Sequence, residues 1–229
     1  MRQRGFFVTG TDTGVGKTVA ACGLIRGLRE RGIDLGVMKP IETGVTEAGP
    51  LDALALRSAA GVAESIDEIC PLQFALPAAP VVAAQAEGRK VDLELLARSF
   101  TELSSRHELM LVEGAGGLLV PTAPGYDMGD LAEQMDLAVI VVARMALGTI
   151  NHTLLTLREI ERRKLNLAGV ILCDADGALS DADRSNLDHL REELGSRLVG
   201  VIERFAAGEQ AGPETLDVDL MLRALKGQG

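Results

Sequence analysis

The run Gly10-Thr11-Asp12-Thr13-Gly14-Val15-Gly16-Lys17-Thr18 holds the residue types that bind a triphosphate. Backbone amides in a Gly-rich turn point at phosphate oxygens, and the N-terminus of a following helix adds its dipole. In such a loop Lys17 offsets charge on the β- and γ-phosphates, and the Thr18 hydroxyl is placed to hold magnesium. Gly14, Val15, Gly16 and Val19 complete the nucleotide-contacting stretch. The common pattern is G-x-x-x-x-G-K-(S/T), whereas five residues separate Gly10 from Gly16-Lys17 here. Either the loop is one residue longer, or Thr11 takes the first Gly position.

Two further runs suit the same chemistry. Leu109 to Val112 is apolar and ends in the carboxylate Glu113, followed by Gly114, Ala115, Gly116 and Gly117. A strand ending in a carboxylate is where phosphate-loop enzymes place the group that holds magnesium or its water, and the glycines let the backbone approach a nucleotide closely. Met38-Lys39-Pro40-Ile41-Glu42-Thr43-Gly44 follows another short apolar run. Pro40 stiffens the turn and biases Lys39 to an extended conformation, so its ammonium projects from a strand end toward the nucleotide. Standing alone, Lys39 would be an ordinary solvated charge.

These side chains can act together only if the chain brings them to one place. Gly5 to Thr9 reads as a first strand, Lys17 to Arg31 as a helix and Leu35 to Met38 as a second strand. Glu108 to Val112, Leu137 to Val142, Leu167 to Cys173 and Leu198 to Ile202 read as further buried strands. Helical spacing covers Asp52 to Ala60, Leu93 to Ser105, Thr149 to Arg163 and Asp181 to Leu194. Strands separated by helices require crossovers, hence a mostly parallel sheet with helices on both faces: an α/β fold of P-loop type, in one domain over residues 1–229. Ligands on such sheets bind at the carboxyl ends of the strands, where every run above falls. Pro71 to Gly88, with Pro71, Pro77 and Pro80, reads as a loop that lines a pocket, and the sequence beyond Phe205 is weakly patterned.

Composition narrows the partners. The chain has 229 residues, 47% of them hydrophobic, but only 3% aromatic and no Trp, so the core is built from Ala, Val, Leu and Ile. A formal net charge of -10 disfavours nucleic acid and anionic lipid. Acidity keeps such a chain soluble, and it also permits attraction of a cationic substrate. Three scattered cysteines, Cys22, Cys70 and Cys173, fit a reducing compartment better than a disulfide framework. No run is long and apolar enough for a signal peptide or a membrane span, so the expected location is the cytoplasm.

Together the runs resemble the dethiobiotin synthetase family of the biotin pathway. The matching motifs are Gly-Thr-Asp-Thr-x-Val-Gly-Lys-Thr at Gly10 to Thr18, Lys-Pro-x-x-(Ser/Thr)-Gly at Lys39 to Gly44, Val-Glu-Gly-Ala-Gly-Gly at Val112 to Gly117, and Leu-Gly-Thr-Ile-Asn-His at Leu147 to His152. The likeness extends to about Ile202, and the longer phosphate loop is itself a trait of that family. The resemblance implies condensation of 7,8-diaminononanoate with carbon dioxide, using ATP and Mg2+, to close a cyclic urea. One amine becomes a carbamate, the carbamate attacks the γ-phosphate to give a carbamic–phosphoric anhydride, and the second amine displaces phosphate. It also implies roles. Lys17 and Lys39 match the lysines that offset charge on the transferring phosphoryl group, and Thr18, Asp52 and Glu113 match the magnesium ligands. Asp52 also stands where a helix N-cap would. Thr11 and Thr43 match hydroxyls near the carbamate. Leu147, Gly148 and Asn151 match the turn that receives the substrate's tail carboxylate across a homodimer interface.

Two departures from the family pattern stand out. Gly14 replaces a frequent Glu, and Cys173, in Leu172-Cys173-Asp174, replaces an Asn that contacts adenine. Cys donates and accepts poorly, and Ile202-Glu203 stands where Ile-Pro is usual, so Cys173, Asp174 and Glu203 leave nucleotide preference open. The main rival is a partition or division-site ATPase switch, but those relatives carry a signature Lys early in the loop, which is missing here. Cobyrinate-type amidotransferases need a further glutaminase domain that this length does not house. A non-catalytic binding module leaves Lys17, Lys39 and Glu113 unexplained.

Overall fold

The computed structural model describes residues 4–174, 179–203 and 215–226. Six strands form one sheet: β1 (Gly5–Gly10), β2 (Leu35–Met38), β5 (Leu109–Gly117), β8 (Ala138–Arg144), β9 (Leu167–Cys173) and β10 (Leu198–Ile202). Their order is β10-β9-β8-β1-β5-β2, and every neighbouring pair is parallel. The expected parallel sheet is thus observed. Its central strands read as continuous apolar runs, such as Phe6-Phe7-Val8 in β1 and Val139 to Ala143 in β8, because helices bury both faces.

Successive side chains feed two cores. Phe6, Val8, Leu111 and Ile140 pack with α1 (Lys17–Glu30), α2 (Leu51–Ala60) and α9 (Val218–Lys226). Phe7, Met110, Val112 and Val139 pack with α5 (Leu93–Ser104), α6 (Met128–Gln134), α7 (Thr149–Arg163) and α8 (Asp181–Leu194) on the other face. The chain leaves β1 toward β2 at one edge and later returns to β8 on the other side of β1. That reversal makes the carboxyl end of β1 a topological switch point, the place where such sheets hold ligands.

Several expectations need correction. Pro71 to Gly88 is not one loop: it contains β4 (Leu72–Phe74), paired in parallel with β3 (Ile41–Thr43), and α4 (Pro80–Ala86). Pro80 opens α4 at a first-turn position that needs no amide donor, so the proline starts a helix there. Strand β5 continues to Gly117, which places Glu113 inside the strand instead of at its end. Asp52 is not an N-cap: α2 starts at Leu51, and its N-cap residue is Pro50, which has no side-chain acceptor to cap with. The segment after Phe205 contains α9, whose Val218, Met221 and Leu225 form a buried face at helical spacing. Also unforeseen were α3 (Ile66–Ile69), α6 and the antiparallel pair β6 (Pro121–Ala123) with β7 (Tyr126–Asp127).

Candidate functional site

The phosphate loop joins β1 to α1, with Gly10 closing the strand and Lys17 opening the helix. Its backbone is tied to the neighbouring strand, because the Thr11 amide donates to the Val142 carbonyl at 2.9 Å. Gly14 and Gly16 have φ of 70° and 92°, where a side chain strains the backbone. A Cβ on Gly16 would also collide with Cys173 Sγ, so the loop lies directly against the end of β9. Val15 is buried in the core, while Val19 is exposed on the first turn of α1.

Lys17 is buried, and its ammonium donates to the Asp12 carbonyl at 3.1 Å. Burial, and then the charge of Lys39, hold its pKa below the ordinary lysine value. A buried cation held by a carbonyl oxygen beside a helix N-terminus is a strong site for an anion.

Lys39 follows β2, with its amide bonded to the Ile69 carbonyl at 2.9 Å. The side chain is 3% exposed, and its ammonium lies 2.7 Å from Asp52 Oδ2 and 2.5 Å from Glu113 Oε1. The Thr18 hydroxyl lies 2.8 Å from Asp52 Oδ1 and 2.9 Å from the same Glu113 oxygen. Residues from α1, α2, β2 and β5 therefore meet at one point. Burial alone would depress the Lys39 pKa, but Glu113 and then Asp52 more than offset it, and the ammonium is held above its ordinary value. Two carboxylates that share one ammonium and one hydroxyl repel each other, so this arrangement needs a cation.

Two contributors escape sequence reasoning. Glu42 is buried, and its carboxylate accepts the Asp52 and Ala53 amides at 3.0 Å each, capping the start of α2 from another element. Its signal lay in the Lys39 to Gly44 run, as an acidic residue flanked by a buried Ile. Arg144, the last residue of β8, donates to Asp12 Oδ2 at 2.8 Å and to the Thr13 carbonyl at 3.2 Å. No spacing rule connects residues so distant in sequence.

The remaining predicted residues are spread over several places. Thr11 lies in a cleft of about 410 Å³ between the phosphate loop and α7, shared with Gly117, Leu118, His152 and Leu155. Its hydroxyl is buried without a partner among the described residues, as is Glu113 Oε2. Gly114, Ala115 and Gly116 continue β5 past Glu113, and Thr43 is half-buried at the end of β3. Leu147, Gly148 and Asn151 line a separate groove at the start of α7 with Arg158 and Asn186. At the far end, Cys173 is buried, Asp174 half-buried and Glu203 exposed. Asp174 and Glu203 line a polar cleft of about 420 Å³ with Arg184 and Asp188. Burial, and then Asp174, push the Cys173 thiol up to about 11, so it stays neutral.

A phosphate loop at the switch point of a parallel sheet, with a buried lysine and a Thr–carboxylate cluster beside it, defines a P-loop nucleotide-binding protein. The solved MinC:MinD cell division protein complex of Aquifex aeolicus shares the fold, with a TM-score of 0.57 at 14% identity over 99% of this chain and 97% of that one. A family profile described as an AAA domain matches residues 4–210. An ATP-dependent dethiobiotin synthetase of Anaeromyxobacter dehalogenans is 51% identical over 84% of this chain and 88% of its own length. Another, from Bacillus licheniformis, is 36% identical over 98% of both chains. The chain belongs to the ATP-dependent dethiobiotin synthetase family.

Proposed function

We propose that this protein is an ATP-dependent ligase that carboxylates 7,8-diaminononanoate and closes the ureido ring of dethiobiotin. Membership of the family supports the reaction and the use of ATP. The observation that carries the residue roles is Lys39, buried beside Glu113 and close enough to Lys17 for the two charges to interact. An ATPase switch has no use for this second lysine.

In this reading the loop amides of Gly14, Val15 and Gly16 and the Lys17 ammonium bind the triphosphate. Lys17 and Lys39 stabilise charge on the γ-phosphoryl group as a carbamate oxygen attacks phosphorus and ADP leaves. The second amine then attacks the anhydride carbonyl and gives up a proton, and the bond from that carbon to the phosphate oxygen breaks, with its electron pair leaving on inorganic phosphate. Both nitrogens belong to one molecule, so ring closure is intramolecular. Thr11 and Thr43 offer hydroxyls to the carbamate end. The largely apolar cleft from Thr11 to Leu155 suits the substrate's alkyl chain.

Magnesium fits the donor set. Thr18, Asp52 and Glu113 are all oxygen ligands, and Glu113 Oε2 is buried and unpartnered among the described residues. Among the described residues no three or more His, Cys, Asp and Glu side chains are grouped so as to hold a metal by themselves, but an ion that keeps several waters needs only one or two carboxylates. It would supply positive charge against the β- and γ-phosphates.

The active unit in this reading is a homodimer. Leu119, Leu147 and Leu155 are 60%, 79% and 54% exposed around the start of α7, an apolar surface that a second copy would cover. Among the described residues no helix is long and apolar enough to cross a membrane, and three free buried cysteines suit the cytoplasm. Incubating purified protein with diaminononanoate, bicarbonate, Mg2+ and ATP should give the cyclic urea by mass spectrometry; ATP hydrolysis with no such product would defeat the assignment. Sedimentation should give a dimer at assay concentrations, and a fully active monomer would remove the shared interface.

A further inference from the structure

Lys39 and the three groups assigned to the divalent ion are bonded to one another. One oxygen, Glu113 Oε1, lies within hydrogen-bond distance of both the Lys39 ammonium and the Thr18 hydroxyl, and Asp52 faces the same two groups with its two oxygens, the single Thr18 proton going to one carboxylate at a time. A divalent ion that took these oxygens could not share them with an ammonium. An ammonium and a divalent ion sharing these oxygens would also repel at such short range. Two of its three donors are taken by Asp52 and Glu113 and the third faces the Gly114 carbonyl at 3.5 Å, so Lys39 meets the phosphoryl group fully only by leaving them.

We propose that Lys39 is the resident counter-ion of the divalent site: it holds Asp52, Glu113 and Thr18 together in the empty enzyme and is expelled by the incoming ion. Expulsion delivers the ammonium to the phosphoryl group only after the ion has arrived. The backbone around Lys39 does not have to move. Its amide is anchored to Ile69, Pro40 fixes the next turn, and the flexible stem carries the charge between positions. Lys17, the other cation facing the site, is held by the Asp12 carbonyl instead of a carboxylate, so the divalent ion does not have to displace it. The inference rests on the metal assignment proposed above.

Mn2+ binding to the free protein, followed without nucleotide or substrate by the electron paramagnetic resonance of the unbound ion, tests the exchange. Lys39→Met should bind Mn2+ at least about tenfold more tightly than the parent, because the competitor is gone while both carboxylates remain. Equal or weaker binding by the variant overturns the exchange. Absence of binding by both proteins overturns it together with the metal assignment, and leaves the ring-closing activity to its own assay. A second measurement uses the unsubstituted protein, in case the variant does not fold. Pulse acetylation should modify Lys39 slowly and exposed Lys90 quickly, and saturating Mn2+ should accelerate Lys39 several-fold relative to Lys90. An unchanged or slower Lys39 rate overturns the proposal.

Discussion

The two ends of the candidate nucleotide site are built in opposite ways. At the phosphate end, four charged side chains, Lys17, Lys39, Glu42 and Glu113, are buried, and the last three are hydrogen-bonded to side chains or amides from other elements. At the base end, Cys173 spends its side chain packing against Gly16, and Glu203 is exposed. The backbone there is used by the sheet itself, since the Cys173 carbonyl accepts from Met145 and the Asp174 amide donates to Ile202, both at 2.9 Å. Buried charges tolerate little change, because each removed partner leaves an uncompensated group. A solvated rim tolerates much more. The phosphate end is therefore expected to set the rate, and the base end to discriminate weakly.

The largest effect should come from Lys39→Ala, which removes the charge proposed to act on the γ-phosphoryl group. Turnover should fall by about 10²–10³-fold while ATP still binds. A steady-state assay with a separate nucleotide-binding measurement checks this, and unchanged turnover would take Lys39 out of the mechanism. Glu42→Ala should come next, because Glu42 orients Asp52 without reaching the ligand itself. Loss of both amide partners should weaken Mg2+ binding by about tenfold and lower stability by about 1–3 kcal/mol. Denaturant unfolding and a Mg2+ titration measure both. A loss of stability with unaltered Mg2+ affinity would confine Glu42 to capping α2.

How legible these ends were follows the same division. The sheet was readable because its central strands are unbroken apolar runs and its long helices have clear spacing, as in Leu167–Cys173 and Thr149–Arg163, where the observed bounds equal the expected ones. The segment Pro71 to Gly88 was misread because proline marks both loops and helix starts, and Pro80 serves the second purpose. Strand β5 ran past its expected end because Gly114, Gly116 and Gly117 pass for a turn locally, although Gly117 still pairs with Gly10. Helix α9 has its apolar face in only nine residues. Of the candidate site, the phosphate loop, Lys39 and Glu113 were visible as motifs, and Asp52 only through the family resemblance. Glu42 and Arg144 were not, because their partners come together only in the folded sheet.

Arg144 stands between the two ends and sharpens the contrast. Its ion pair with Asp12 is partly exposed, with side chains 30% and 50% accessible, so its worth is modest. It nevertheless holds the residue whose carbonyl receives Lys17. Arg144→Met should raise the Kd for ATP about fivefold by loosening the loop, an effect of about 1 kcal/mol. Isothermal titration decides it, and an unaltered Kd would make the contact an incidental surface pair.

The smallest effect should come at the base end. If Cys173 acts through Gly16 and not through the base, Cys173→Ala should shift KM for ATP, CTP and GTP by one common factor within about twofold, since a small buried group costs about 1 kcal/mol or less. The thiol is neutral, buried and pressed on the phosphate loop, which every nucleoside triphosphate shares. The unsubstituted enzyme should then show a shallow preference among the three, because neither the thiol nor a solvated carboxylate reads a base edge with the two-way complementarity of an amide. A steep preference for ATP that Cys173→Ala abolishes would place the sulfur at the base, and would end the distinction between a rate-setting and a permissive end of the site.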